Sequence, residues 1–113
     1  KLNCPTIFFP KDYSLGLKNI NDSICDFVSI DWHISLPEAR KLVDNGVGLQ
    51  GNMDPRIFYY EFDTIKKYLN SLNEFGSKNS NWIFNLGHGF LPDIDHLKVK
   101  KTVQWIKKNN WNR

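Results

Sequence analysis

A single histidine stands between two glycines where the apolar stretch Ile83-Phe84-Asn85-Leu86 runs straight into Gly87-His88-Gly89. Glycines on both sides remove two side chains and give the backbone access to positive φ, so a ligand can approach the main chain while the imidazole projects. An imidazole beside exposed amides suits a carboxylate or a phosphate. It donates a hydrogen bond, and it becomes cationic when a neighbouring anion raises its pKa. His88 is therefore the first candidate binding residue; the plainer reading is a histidine that satisfies its own turn.

Three further polar clusters carry usable chemistry: Pro10-Lys11-Asp12, Asp31-Trp32-His33, and Gln50-Gly51-Asn52-Met53-Asp54-Pro55. Each also has a structural explanation. Asp54 before Pro55 reads as a helix N-cap with proline at the first helical position. Asp31 can bond backbone amides of its own turn, Trp32 can belong to the core, and Lys11 can be solvated. His33 and His96 read as surface residues, with Asp95-His96 explained by helix initiation. G-x-S-x-G, P-loop, G-x-G-x-x-G and H-E-x-x-H patterns are all absent, so serine hydrolase, NTPase, dinucleotide and zincin chemistries have no motif here. Isolated His and Asp residues are a poor basis for zinc.

These clusters are spaced by one repeated unit. TIFF (residues 6–9), DFVSID (26–31), VGLQ (47–50) and WIFNL (82–86) read as strands. Between them, residues 13–21 read as a short helix. Ser35 and Glu38 form an S-x-x-E capping box for a helix that Asn45-Gly46 stops. Phe62, Ile65, Tyr68, Leu69, Leu72 and Phe75 share one face of a long helix that Gly76 terminates, with residues 77–81 a polar loop. Asp95 caps a last helix with Val99, Val103 and Ile106 inward. Strand then helix, four times over, implies a parallel α/β sheet whose strands are covered on both faces. All four polar clusters then fall at carboxyl ends of strands, where such sheets bind ligands. Two architectures satisfy this: a small open doubly wound sheet, or half of a (β/α)8 barrel. A full barrel needs about 250 residues, so length alone favours the open sheet; the chain opens directly on a strand, and an isolated half-barrel would leave two unpaired edges.

With 113 residues, 41% hydrophobic and 14% aromatic, the chain has the size and apolar content of one domain. It lacks the run of about 18 apolar residues that a membrane span requires, and its start, KLNCP, lacks the order of a secretory signal, so no membrane association is expected. Cys4 and Cys25, without a C-x-x-C, fit a reduced intracellular setting with buried or idle thiols. The net charge of +3 arises mainly near the end, from Lys98, Lys100, Lys101, Lys107, Lys108 and Arg113. Without a nucleic-acid motif this reads as a solvated helix face suited to the negative end of the helix dipole, not as a nucleic-acid footprint.

Together, F-x-K-D (Phe9, Lys11, Asp12), D-F-V-S-I-D-W (26–32), L-Q-G-N-M-D-P (49–55) and I-F-N-L-G-H-G-F-x-P (83–92) resemble the C-terminal part of the uroporphyrinogen decarboxylase family. The resemblance covers essentially the whole chain. It implies that residues 1–113 are the C-terminal half of a single barrel domain, the last four βα units of a TIM (β/α)8 barrel. It further implies the removal of carboxyl groups from the four acetate side chains of uroporphyrinogen, giving coproporphyrinogen in heme biosynthesis, without metal or organic cofactor. The family's pyrrole-binding aspartate and carboxylate-binding arginines lie in the N-terminal half, so this piece alone is expected to be inactive. His88 matches the histidine of the family's G-H-G and is expected to hydrogen-bond a substrate carboxylate. Asp31, Asn52 and Asp54 match its D-W and G-N-x-D-P motifs and are assigned to shaping the rim. The family implies a cytoplasmic homodimer, or a plastid enzyme where a leader precedes Lys1. A related branch, zinc-dependent corrinoid or coenzyme M methyltransferases, carries a cysteine where this chain has His88. The remaining alternative is a non-enzymatic α/β module that binds an anion at the His88 turn.

Overall fold

Apolar runs too short to alternate become strands that are covered on both sides, and the middle of the sheet obeys this rule. In the computed structural model, which describes residues 2–109, four strands pair in parallel: β1 (Ile7–Phe8), β2 (Phe27–Ser29), β3 (Gly48–Gln50) and β4 (Trp82–Ile83). Their spatial order is β1-β2-β3-β4, the order of the chain, with no reversal. A doubly wound sheet binds its ligand at a reversal of strand order, and this sheet has none. Registers Phe27↔Gly48, Val28↔Leu49 and Ser29↔Gln50 place Val28 and Leu49 side by side, both almost fully buried. Fully burying a side chain of this kind contributes about 1.5–3 kcal/mol.

Strand β1 departs from the expectation. Ile7 and Phe8 remain 52% and 45% exposed, and Phe9 beyond them is also exposed. Pairing with β2 satisfies one edge of β1, and among the described residues no strand pairs with the other.

The chain divides into two compact units, Lys1–Asp54 with Asn81–His88, and Pro55–Ser80 with Gly89–Arg113. The first holds the sheet and helix α1 (Leu36–Leu42). The capping box is formed as the S-x-x-E spacing predicts. Glu38 N–H donates to Ser35 Oγ at 3.3 Å, and the Ser35 N–H donates to Glu38 Oε2 at 3.3 Å. The Ser35 hydroxyl also donates to Glu38 Oε2 at 2.5 Å, and this bond first, the Ser35 N–H second, holds the Glu38 carboxyl below its ordinary pKa. At the other end of α1 the Arg40 guanidinium donates to the carbonyls of Val43 (2.8 Å), Asp44 (2.5 Å) and Val47 (2.8 Å), so one side chain caps the helix and ties it to the start of β3. Residues 13–21 do not form an α-helix: a 3-10 helix covers Ser14–Asn19, with Leu17 and Ile20 buried.

Because the capping box is legible and local, its removal gives a clean expectation. Ser35→Ala costs about 1 kcal/mol of stability in denaturant unfolding near neutral pH. A depressed carboxyl contributes stability that is present above its unfolded pKa and lost as pH falls through the folded value, so the gap between the two proteins narrows as Glu38 protonates. A gap that stays constant down through the glutamate range contradicts this account of the cap.

The second unit carries a 3-10 helix (Pro55–Tyr59), α2 (Phe62–Ser71), α3 (Asn73–Lys78) and α4 (His96–Lys108). The single helix expected over Phe62 to Phe75 is interrupted at Leu72, whose N–H reaches Leu69 O at 3.1 Å and tightens the turn. Gly76 does not stop the helix. It lies inside α3, which continues to Lys78, where the Glu74–Lys78 ion pair (2.6 Å) spans one turn and Asn79 Nδ2 caps Phe75 O at 2.7 Å. Ile65 and Leu69 are buried as expected, whereas Phe62, Tyr68 and Leu72 are half-buried. Asp95 caps α4 by accepting from Leu97 N–H at 2.9 Å. The inward face of α4 differs from the expectation: Thr102 is buried, Val99 and Ile106 are half-buried, and Val103 is exposed. Among the basic residues, Lys98 donates to Tyr60 O at 2.9 Å, and Lys101 lies 4.3 Å from the centre of the Phe62 ring. Lys100, Lys107 and Lys108 are exposed, and Arg113 lies outside the described residues. No helix of the described residues is long and apolar enough to cross a membrane.

Candidate functional site

In a parallel sheet every carboxyl end points the same way, so the residues following β1, β2, β3 and β4 gather at one end of the first unit. There the polar clusters interlock. Asp31, with its side chain 6% exposed, directs one carboxylate oxygen at Asp12 N–H (2.8 Å) in the loop after β1. The other oxygen accepts from His33 N–H (2.9 Å) and faces His33 Nδ1 (3.1 Å). So Asp31 bonds its own turn, as its side chain allows, and also reaches a neighbouring loop. Asp12 takes a left-handed conformation, φ 57°, which is uncommon outside glycine. The His33 ring stacks on Trp32 with centroids 4.1 Å apart, and its Nδ1 also lies 3.4 Å from Asp12 Oδ1.

Asp12, Asp31 and His33 are therefore not isolated: their ligand-type atoms lie within 4.8 Å of one another. Both carboxylate oxygens of Asp31 are already engaged by backbone amides. Neither cysteine lies at this end of the sheet. Cys4 is exposed ahead of β1, and Cys25 is buried ahead of β2, both on the amino side of their strands.

Asn52 is buried, and its side-chain amide donates to Asp31 O at 2.9 Å and to Ile34 O. It thereby holds the main chain of the turn that follows β2. Ahead of it, Gly51 has φ 136°, a conformation that favours glycine, and a Cβ there would lie 2.7 Å from Ile30 O. The Trp82 indole N–H donates to Gly51 O at 2.9 Å. Asp54 is half-buried and immediately precedes Pro55, which opens a 3-10 helix, where the D-P pattern predicts a helix start.

His88 lies just past the pairing of β4. Leu86 bridges to Met53, and Gly87 N–H donates to Met53 O at 2.9 Å, after which the His88 side chain is exposed. Neither glycine has positive φ, so the turn does not use the conformational freedom expected of them. Gly87 permits close approach: a Cβ on it would lie 2.5 Å from Trp32 N and 2.9 Å from Asp31 C, both main-chain atoms. A Cβ on Gly89 would meet nothing within 4 Å. Lys11 is exposed at the same rim, and His96 is exposed at the first position of α4.

The clustering of Asp12 and His33 with Asp31 is the feature that sequence patterns do not reveal. The D-x-H spacing of Asp31 and His33 is a readable local signal; the arrival of Asp12, nineteen residues earlier, depends on the β1–β2 register. In the second unit, Tyr59 OH donates to Asp93 Oδ1 at 2.5 Å, and that bond raises the phenol pKa above its usual value.

The uroporphyrinogen decarboxylase (URO-D) family model matches residues 1–109. The uroporphyrinogen decarboxylase of Chlorobaculum tepidum is 40% identical over 109 residues, covering 94% of this chain and 31% of the relative. That of Francisella tularensis subsp. novicida is 38% identical over 110 residues, covering 96% of this chain and 32% of the relative. The chain thus spans about a third of the length of the curated relatives it matches.

Proposed function

The chain belongs to the uroporphyrinogen decarboxylase family, and from that premise we propose that it is the C-terminal half-barrel of an enzyme that decarboxylates the four acetate side chains of uroporphyrinogen to give coproporphyrinogen. The observation that carries the proposal is the exposed imidazole of His88, presented at the carboxyl end of a parallel sheet on a turn seated against the main chain of the neighbouring loop. Strand order supports the barrel, since strands added in chain order without reversal are what a (β/α)8 barrel requires. The exposed apolar side chains of β1 also support it, because an apolar edge of this kind marks a surface that another segment covers.

Loss of carbon dioxide from an acetate leaves an electron pair beside a pyrrole. Protonating the ring first gives that pair a place to go, and fixed polar groups in the cleft stabilise the cationic intermediate. In this reading His88 hydrogen-bonds a substrate carboxylate. Asp31, Asn52 and Asp54 shape the rim, and the groups that act on the pyrrole come from the rest of the protein. The complete protein works without metal or cofactor as a cytoplasmic homodimer and binds neither membrane nor nucleic acid. A zinc methyltransferase relative is disfavoured because the thiols sit ahead of β1 and β2 and not at the rim.

The test is turnover of uroporphyrinogen, followed by chromatography of the products. The complete protein is expected to give coproporphyrinogen and the 113-residue chain alone to give none. A complete protein that leaves uroporphyrinogen untouched and carries stoichiometric zinc by elemental analysis overturns the proposal in favour of methyl transfer.

A further inference from the structure

The rim contains a buried carboxylate whose bonds tie the loop after β1 to the turn after β2, and we propose that this group, Asp31, is a positioning residue for His88. The inference rests on the reading of His88 as a contact to a substrate carboxylate.

The turn at residues 31–34 is held from two directions. Asp31 reaches outward from it, accepting from Asp12 N–H at 2.8 Å and from His33 N–H at 2.9 Å. Bonds between a carboxylate and backbone amides are the stronger, charge-assisted kind, and a side chain only 6% exposed is little screened. The first of them is made by Asp12 at φ 57°, a conformation uncommon outside glycine. Asn52 reaches into the turn from β3 and spends both amide protons on its carbonyls, Asp31 O and Ile34 O. A turn tied in this way has one position. Gly87 is packed on its first peptide, at a spacing that leaves no room for even a methyl group. Movement of the Asp31–Trp32 peptide therefore displaces Gly87, and with it the imidazole one residue along. His88 is placed from below by the Gly87–Met53 bond and from the side by the turn that Asp31 holds.

The substitution that isolates this effect is Asp31→Asn, which keeps the shape but puts an N–H where one amide needs an acceptor. The experiment uses the complete protein with Asp31→Asn and His88→Ala, singly and together. Uroporphyrinogen turnover and peptide-level hydrogen exchange are both measured. Asp31→Asn is expected to raise KM about tenfold, roughly the loss of one hydrogen bond to a charged group, with kcat little changed. The double variant is expected to be no worse than His88→Ala alone, and exchange is expected to rise at residues 10–13, 31–34 and 86–88 but not in β3. A purely structural Asp31 lowers the melting temperature, leaves KM unchanged and combines multiplicatively with His88→Ala; that result overturns the proposal. If His88→Ala alone leaves KM unchanged, the His88 reading fails, and exchange at 86–88 then decides the positioning role by itself, unchanged exchange refuting it. Should Asp31→Asn not fold, Asn52→Ser loosens the same turn from its other side, and the same pattern is expected.

Discussion

Replacing His88 by alanine in the complete protein is expected to lower kcat/KM for uroporphyrinogen by about 10- to 100-fold, mostly through KM. The size follows from what is lost. A hydrogen bond to a charged group is worth about 1.5–3 kcal/mol, and each 1.4 kcal/mol is a factor of ten. Because the His88 side chain is exposed at the strand end, its removal leaves no cavity, and stability should change by less than about 0.5 kcal/mol. His88→Gln keeps a neutral donor and should recover part of the affinity. Unchanged kinetics in His88→Ala, with normal folding, removes the binding assignment.

The second large effect is expected from a methyl group. Gly87→Ala places a Cβ 2.5 Å from Trp32 N and 2.9 Å from Asp31 C, and because both are main-chain atoms the overlap is not relieved by a rotamer change. Overpacking of this kind costs about 1–3 kcal/mol, and the rigidity of the tied turn puts Gly87→Ala at the upper end. Gly89→Ala, one residue beyond His88, meets nothing within 4 Å and serves as the control, with an expected change within about 0.5 kcal/mol. Denaturant unfolding of the two variants side by side decides the matter, and equal stabilities contradict the close-packed account of the turn. Gly87→Ala should also weaken substrate binding, since the methyl group pushes the His88 turn away from its seat.

The contrast between these two glycines also marks how far the sequence could be read. G-H-G announces that two side chains are dispensable around the imidazole, and His88 is indeed exposed at a strand end. It does not say which property of glycine is used, and neither residue adopts positive φ. Local signals were legible where side-chain spacing alone makes the bond. The Ser35–Glu38 box and the Asp95 cap form where the spacing placed them, and the four apolar runs became four strands in chain order. Features that such spacing does not encode, the passage of the helix through Gly76 among them, were not. Residues 14–19 carry too little helical periodicity to separate a 3-10 from an α-helix, and the interruption at Leu72 rests on a single tightened bond inside an unbroken apolar pattern. The rim follows the same division. Asp31 bonding its own turn is a local event, whereas its bond to Asp12 and the reach of Asn52 across to residues 31 and 34 depend on strands that meet only in the folded sheet.

In the proposed function these strand ends form one wall of a cup for an acidic tetrapyrrole, completed by the remainder of the protein. The most direct measurement is a structure of the complete protein with its tetrapyrrole product bound. The predicted result has a ring nitrogen of His88 within about 3.2 Å of a carboxylate oxygen of the ligand and a strand from the preceding part of the chain covering the open edge of β1. A tetrapyrrole bound away from the residues that follow β1 to β4, or a β1 edge left uncovered in the complete protein, would contradict it.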